Sequence, residues 1–299
     1  MELRQLRHFV ALADSKNFSR AAEKMHIAQP ALSISIRKLE QELGVQLFDR
    51  GPRHVVLTEA GQKALSSARD AVAQADEVAR TALTSKDSGL LRMSFVGSAA
   101  HQVLPRFLPE FRRQHKDVEL ELSEGPSLDV IAGVNEGSID AGIVRHPVMQ
   151  PTGLEMRILN REPLLVALPK RHALTTKSRI RLVDLAAEPF IQYSQTHAPS
   201  MNTVITLGCQ RAGFAPRVAQ EAIQIQTILS LVECGLGVAL VPASSRLASW
   251  QKVQFRPLMD AKGLLTVGLC LVFHPKARNP RLPGLVDVLT RLACADALR

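Results

Sequence analysis

Asn17 to Gly44 reads NFSRAAEKMHIAQPALSISIRKLEQELG, and the architecture of the N-terminal part turns on this stretch. Asn17-Phe18-Ser19 offers side-chain oxygens to the free amides of a helix start, and Ala21-Ala22-Glu23-Lys24-Met25 continues as a short helix. His26-Ile27-Ala28 is a tight connection. Gln29-Pro30 opens a longer helix, since a proline in the first turn lacks only an N–H that has no partner there. Leu32, Ile36, Leu39 and Leu43 form its apolar stripe, and Gly44 is a good stop. Upstream, Leu3, Leu6, Phe9, Val10 and Ala13 recur at helical spacing, giving a first helix of about twelve residues. Short helix, three-residue turn and longer helix make a helix-turn-helix.

The face opposite the stripe carries Ala31, Ile34, Lys38 and Gln41, with Pro30 and Arg37 beside it and Gln29 and Ser33 near its N-terminal end. Such polar side chains suit the donor and acceptor edges of a DNA major groove. Ile34 is the odd member, either a contact to a thymine methyl or sugar edge or an ordinary surface apolar residue. Leu47 to Arg50 and His54 to Leu57 then read as two short strands around Gly51-Pro52-Arg53. The tip of this hairpin carries Arg50, Arg53 and His54, placed to reach phosphates or a narrow minor groove.

Phe18-Ser19-Arg20-Ala21-Ala22, Gln29-Pro30-Ala31-Leu32-Ser33, Leu39-Glu40, Leu43-Gly44, Leu47-Phe48-Asp49-Arg50 and Leu57-Thr58-Glu59-Ala60-Gly61 together resemble the winged helix-turn-helix of LysR-type transcriptional regulators. The resemblance implies bacterial transcription control by a homo-oligomer, usually a tetramer, that answers a small-molecule inducer, with RNA polymerase as a further partner. The sequence departs from the pattern at Ile34, where some members carry a base-reading arginine, and at Ala28, where many have a serine cap.

Thr58 is placed to cap a long helix reaching roughly Lys86. Leu57, Gly61, Ala64, Ala68, Ala71, Ala75, Val78 and Ala82 alternate at spacings of four and three, the period of a coiled-coil seam. The alternative is a helix packed within its own chain. A seam fits a DNA reader, because two recognition helices must match two half-sites.

From Leu90 onward short apolar strands alternate with helices, which indicates an α/β architecture with a weak internal repeat and hence two lobes. The expected strands are Leu91 to Val96, Val118 to Ser123, Asp140 to Val144, Pro189 to Tyr193, Arg217 to Glu221 and Gly237 to Val241. The expected helices are Val103 to His115, Ser127 to Glu136, Met201 to Ala212 and Ile223 to Cys234. Polar loops feed helix starts at Gly97-Ser98, Ser127, Ser200-Met201-Asn202 and Gln226-Thr227, and free helix amides favour carboxylates. Arg145 follows a strand end and adds a charge-assisted contact. Each serine or asparagine taken singly is equally a helix cap.

This half is similar to the family's effector domain, which resembles periplasmic solute-binding proteins, and Gly235 to Pro242 looks like its second-lobe signature. Met1-Glu2-Leu3-Arg4 and Ile27-Ala28-Gln29-Pro30 look most like the branch controlling aromatic-acid catabolism. On that likeness Ser98, Ser127, Pro199, Ser200, Met201 and Asn202 line the ligand cleft. Arg145 and Thr227 join them as candidates from the reading of the residues themselves. Met201 stands where some relatives have an aromatic residue.

Composition narrows the alternatives. The 299 residues hold 37 Lys+Arg and 28 Asp+Glu, a net charge of +9. Residues 1–89 contribute 13 basic and 11 acidic side chains, so most of the excess lies in the second half, away from the DNA-reading segment. Aromatic residues make up only 4%, too few for base-stacking platforms. The longest apolar run, Leu264 to Phe273, is too short to span a membrane, and the start lacks a signal-peptide core, so a cytoplasmic protein is expected. Cys209, Cys234, Cys270 and Cys294 have neither metal-clip nor redox spacing, and no metal or cofactor is expected. Ser98 lies in Gly-Ser-Ala-Ala-His rather than a nucleophile elbow, which argues against an enzyme.

The expected organisation is thus a winged helix-turn-helix over 1–58, a linker and dimerisation helix over 59–88, and a bilobed α/β effector domain over 89–299, its lobes about 89–160 with 268–299, and 161–267. The function read from it is a promoter-specific regulator responding to a carboxylate-bearing effector. The competing reading is a cytosolic solute-binding protein without promoter-specific activity.

Overall fold

The computed structural model describes residues 1–51, 54–83, 89–247, 250–259 and 265–297. The chain divides into two compact units, with the main boundary after residue 88.

The N-terminal unit runs α1 (Leu3–Ser15), α2 (Phe18–Lys24), α3 (Gln29–Leu43), β1 (Phe48–Gly51), β2 (His54–Leu57) and α4 (Glu59–Leu83). Asn17 caps α2, its side chain accepting from the Arg20 amide at 3.1 Å. Ala28 gives α3 no side-chain cap, Pro30 sits in its first turn, and Gly44 ends it in the left-handed region at φ 68°. Phe9, Leu12, Leu32, Ile36, Leu39 and Phe48 are buried together, with the rings of Phe9 and Phe48 edge to face at 5.5 Å.

One buried carboxylate fixes the hairpin to the recognition helix. Glu40 Oε1 accepts the amides of Leu47 at 2.9 Å and Phe48 at 3.2 Å, so the charge is met by backbone donors rather than by water. Thr58 closes the other end: its hydroxyl donates to the Gln46 carbonyl at 2.7 Å and accepts the Gly61 amide at 3.0 Å. These bonds draw the start of α4 so close to the hairpin that a Cβ on Gly61 would lie 2.1 Å from the Leu47 carbonyl oxygen.

The seam read from the sequence therefore has two fates. Leu57, Gly61, Ala64 and Ala68 pack inside the unit, where Ala68 is buried, and Arg69 pairs with Asp14 of α1 at 2.5 Å. Farther along, Ala71 is exposed and Val78 is 69% exposed, so this half is open to a partner helix. The side chain of Ala82 and the expected extension to Lys86 lie outside the described residues, as do Arg53 and the side chains of Arg50 and His54.

The C-terminal unit runs β3 (Leu90–Phe95), α5 (Gly97–Gln102), α6 (Leu104–Gln114), β4 (Glu119–Glu124), α7 (Ser127–Asn135), β5 (Ala141–His146), β6 (Glu155–Pro169), β7 (Pro189–Tyr193), α8 (Pro199–Arg211), β8 (Arg217–Ala222), α9 (Ile225–Glu233), β9 (Ala239–Pro242), β10 (Val253–Pro257), β11 (Thr266–Phe273) and α10 (Leu282–Ala297). The main sheet has the order β10-β6-β11-β5-β3-β4, with β9 also on β6. In the first lobe β3 is parallel to β4 and β5, and β11 closes antiparallel on β5. The second lobe repeats the plan: β7 is parallel to β8, Ile191 and Val238 amides tie β7 to β9 at 2.8 Å, and β9 lies antiparallel on β6. Each lobe has its own apolar core, around Phe107 and Phe111 in the first and Phe190, Ile205 and Ile228 in the second.

Strand β6 belongs to both lobes. Its residues up to Pro163 pair with β11, and its later residues pair with β9 and β10. The ladder shifts between Leu269 and Cys270, leaving Leu159 unpaired as a bulge, and this breaks the alternation that would have disclosed the strand in the sequence. The apolar run supplies β11, Thr266–Phe273, a central strand flanked on both sides, with Val267 to Val272 buried throughout. The helix expected over 103–115 is α6, and a further short helix, α5, precedes it, beginning at Gly97 in what the sequence presents as a polar loop. Among the described residues no helix is long and apolar enough to cross a membrane.

Replacing Gly61 with alanine should destabilise the N-terminal unit by about 3 kcal/mol, because the colliding atom is backbone. Thermal unfolding checks it: an unchanged melting curve for Gly61→Ala would show that helix and hairpin can separate at little cost.

Candidate functional site

Two surfaces carry chemistry, one in each unit. On α3 the packing of Leu32, Ile36 and Leu39 into the core turns the opposite face outward. Gln29, Pro30, Arg37 and Lys38 are exposed there, Ser33 is half-buried, and Ile34 is 57% exposed. Ile34 is thus an isolated apolar tip among polar ones, at the middle of the helix face that a major groove would meet.

In the C-terminal unit a cavity of about 200 Å³ lies between the lobes. The structure brings Ser98, Ser127, Arg145, Pro199, Ser200 and Met201 to its wall. It does not bring Asn202 or Thr227. The Asn202 side chain turns back to donate to the Tyr193 carbonyl at 2.7 Å, fastening α8 to β7, and exposed Thr227 falls one position past Gln226, which does face the cavity. Tyr193, His197, Met149 and Gln224 also line the wall and were not legible beforehand, because they come from strand ends and loops without a motif.

The electrostatics of this wall are unusual. Arg145 is 8% exposed, and its Nη1 is buried without a hydrogen-bond partner among the described residues. The Ser98 hydroxyl and the Tyr193 hydroxyl are buried and partnerless in the same way. Burial pulls the Arg145 pKa down, with Tyr193 and Glu162 acting in the opposite direction. Burial pushes the Tyr193 phenol up. A guanidinium does not lose its proton in a protein, so the cleft holds a cation and two hydroxyls whose bonds are unmade. Such groups cost on the order of 1–3 kcal/mol each while unsatisfied, more for the charge. Ser127 is partly engaged, its Oγ accepting the Arg145 amide at 3.1 Å and so setting the start of α7 against the end of β5.

Behind the cleft a polar network joins the lobes at the hinge. Gln102 of α5 donates to Ser244 at 2.6 Å and accepts from Asn160 of β6 at 2.8 Å, while Glu162 accepts the Ser244 amide at 2.6 Å. Cys209 and Cys270 are buried and their thiols are pushed up to about 12, which leaves them protonated and unreactive at neutral pH. Among the described residues no group of three His, Cys, Asp or Glu side chains converges as a metal site would require.

Residues 3–62 match the family described as bacterial regulatory helix-turn-helix protein, lysR family, and residues 84–293 match the LysR substrate binding domain. The chain is 38% identical over 290 residues to the HTH-type transcriptional regulator AlsR of Bacillus subtilis, covering 96% of this chain and 95% of that protein. It is similar to full-length BenM, with a TM-score of 0.62 and 29% identity over 99% of this chain and 98% of that one. It also aligns with full-length CbnR complexed with its target DNA, at a TM-score of 0.57 and 25% identity over 98% and 100% of the two chains. The chain belongs to the LysR family of transcriptional regulators: it is a DNA-binding regulator with an effector-binding domain.

Exchanging Arg145 for methionine should raise the stability of the ligand-free protein by ~1–4 kcal/mol, because a desolvated cation with a partnerless Nη1 is replaced by an apolar chain. Denaturant unfolding measures this, and a loss of stability would mean that Arg145 is already satisfied in the free protein.

Proposed function

We propose that the effector is a small organic acid with an apolar body, seated between the lobes with its carboxylate on Arg145. The observation that carries this reading is the convergence of three buried, partnerless polar atoms, Arg145 Nη1, Ser98 Oγ and Tyr193 OH, on a cavity whose wall also carries the apolar Leu128, Ile131, Met201 and Ile225. A carboxylate accepts from a guanidinium and from hydroxyls together, and in a desolvated site such charge-assisted bonds are the strong ones. The apolar walls take a ring or a short hydrocarbon chain, and this favours acids of the aromatic-catabolism class. His197 and Gln226, farther along the wall, suit a second polar group on the same molecule.

Binding then acts on the hinge. Arg145 and Ser98 stand in the first lobe, Tyr193 in the second, and strand β6 passes through both. A ligand gripping both sides favours a closed arrangement by as much as it binds that arrangement more tightly. The part of α4 that carries the exposed Ala71 and Val78 pairs two chains, pairs of dimers form the tetramer, and closure changes the spacing of the recognition helices on promoter DNA, with RNA polymerase as the recipient of the change. On α3, Gln29, Ser33 and Ile34 read base edges beside Pro30, while Arg37 and Lys38 hold phosphates, with the hairpin's Arg50, Arg53 and His54 as further backbone contacts. The match of residues 3–62 to the helix-turn-helix family is what weighs against a solute-binding protein without promoter-specific activity.

Thermal unfolding against aromatic monocarboxylic and dicarboxylic acids tests the effector class. An acid at 100 times its dissociation constant should stabilise the protein by about 2.7 kcal/mol, and Arg145→Met should lose that response. A panel that moves nothing, or a hit that Arg145→Met keeps in full, would remove the carboxylate reading. For the DNA face, Lys38→Ala should lower the salt slope of promoter binding by about 0.9. Ile34→Ala should leave the slope unchanged while narrowing the gap between target and scrambled sequences by about tenfold. Equal effects on both DNAs would sink the role given to Ile34.

A further inference from the structure

The charge excess of the C-terminal unit is concentrated in one place that the effector cleft does not use. Residues 170–181 read KRHALTTKSRIR, with five lysines and arginines and no carboxylate. The segment is folded against strand β10, the edge of the main sheet. The Lys170 amide donates to the Lys252 carbonyl at 2.7 Å, and the Ile180 amide donates to the Pro257 carbonyl at 3.1 Å, so both ends are pinned along that edge. Between them Arg256 of β10 donates to the carbonyls of Thr175 at 2.8 Å and Lys177 at 2.9 Å. The backbone that carries these cations is thus tied along the sheet edge, forming a rim.

Few carboxylates answer them. Asp184 takes Lys177 at 2.9 Å and Arg181 at 3.1 Å, Glu188 meets His172 at 3.2 Å, and Glu233 accepts the Lys252 amide at 3.1 Å. Lys170, Arg171, Arg179 and Lys252 are exposed and make neither an ion pair nor a side-chain hydrogen bond among the described residues. Arg256 bonds only neutral oxygens. Ser178, exposed between Lys177 and Arg179, adds a hydroxyl, and no Phe, Tyr or Trp lies in the segment.

We propose that this rim is a second DNA-contacting surface, which holds backbone phosphates of duplex outside the segment read by α3. Cations interleaved with hydroxyls are the groups that phosphates take, whereas a protein partner is met through aromatic and aliphatic anchors at the patch centre. The need for it lies in the charge distribution. The first 89 residues carry a net of only +2, yet affinity for a duplex comes largely from neutralised phosphates. The rim supplies charge that the reading unit lacks, and does so without regard to sequence. The inference rests on the DNA-binding role of the family and not on the identity of the effector.

The test uses the full chain and a mixed-sequence duplex of about 60 base pairs, with affinity measured across a salt series. The triple variant Lys170→Gln, Arg171→Gln, Arg179→Gln removes three charges that have no partner in the fold, so its melting curve should match the parent. Its salt slope should fall by about 0.9 for each phosphate no longer neutralised, up to roughly 2.7. The control Arg112→Gln, Lys116→Gln, Arg278→Gln removes the same net charge from exposed positions elsewhere in the unit and should leave the slope near the parent's. An unchanged slope in the rim variant overturns the proposal, as does an equal fall in the control. A rim variant that binds DNA as the parent does but loses transcription with purified RNA polymerase overturns it too, and assigns the face to that protein.

Discussion

A guanidinium confined to the interior without a carboxylate partner is the constraint around which the C-terminal unit is organised. Arg145 sits near the end of β5, paired with Leu269 of β11 and largely buried at the wall of the cavity between the lobes. Desolvation of a lone cation is among the larger penalties a fold can carry, and it persists only where the surrounding structure over-determines the position. Here the surroundings do so twice. The Arg145 amide is fixed by Ser127, and β11 holds the strand through a continuous antiparallel ladder. The buried hydroxyls of Ser98 and Tyr193 come from different lobes, so the partnerless groups stand on both sides of the hinge. What would be a defect in a purely structural core is what the proposed effector carboxylate would satisfy.

The N-terminal unit solves a different problem, that of holding a small hairpin and a long helix to a three-helix core of limited size. It does so with polar side chains that bond backbone groups, beside the buried Leu47, Phe48 and Ala68. The Glu40 carboxylate, the Thr58 hydroxyl and the absence of a side chain at Gly61 together bring residues 46–48, the hairpin and the first turn of α4 into one body. The same arrangement consumes the first half of the heptad-like seam. Alanines bury little area, and with the early seam facing its own chain the later seam positions Ala71 and Val78 are left exposed.

Where the sequence was legible, the reason is local physics. The helix bounds at 3–15, 18–24 and 29–43 follow from caps, stops and apolar stripes that act within one or two turns, and the left-handed Gly44 follows from the one residue that adopts such backbone without strain. The strands of the two repeats show as short apolar runs for the same reason. Strand β6 escaped because its bulge breaks the alternation, and α5 because a glycine, a serine and two alanines give no periodic stripe. Of the candidate cleft residues, Ser98, Ser127, Arg145, Pro199, Ser200 and Met201 sit where strand ends and helix starts put them. Asn202 was misplaced because a one-residue step along a helix swings a side chain by about 100°, here away from the cavity and onto the Tyr193 carbonyl. Thr227 fails by the same step.

The sequence by itself determined the helix-turn-helix, its outward polar face with the apolar Ile34, the doubled strand–helix–strand plan and the surplus of positive charge beyond residue 89. Each of these is written in spacing, caps or composition, and so needs no knowledge of distant contacts. Only the tertiary structure decided that Arg145, Ser98 and Tyr193 share one buried wall without partners. Only it decided that Gln102, Glu162 and Ser244 join the lobes, and that Lys170, Lys252 and Arg256 stand on one edge. Those facts depend on side chains far apart in the chain being brought together by a sheet whose central strand serves two lobes, as the 142-residue separation of Gln102 and Ser244 illustrates. Burial without a partner is a property of the assembled interior, and no local pattern encodes it.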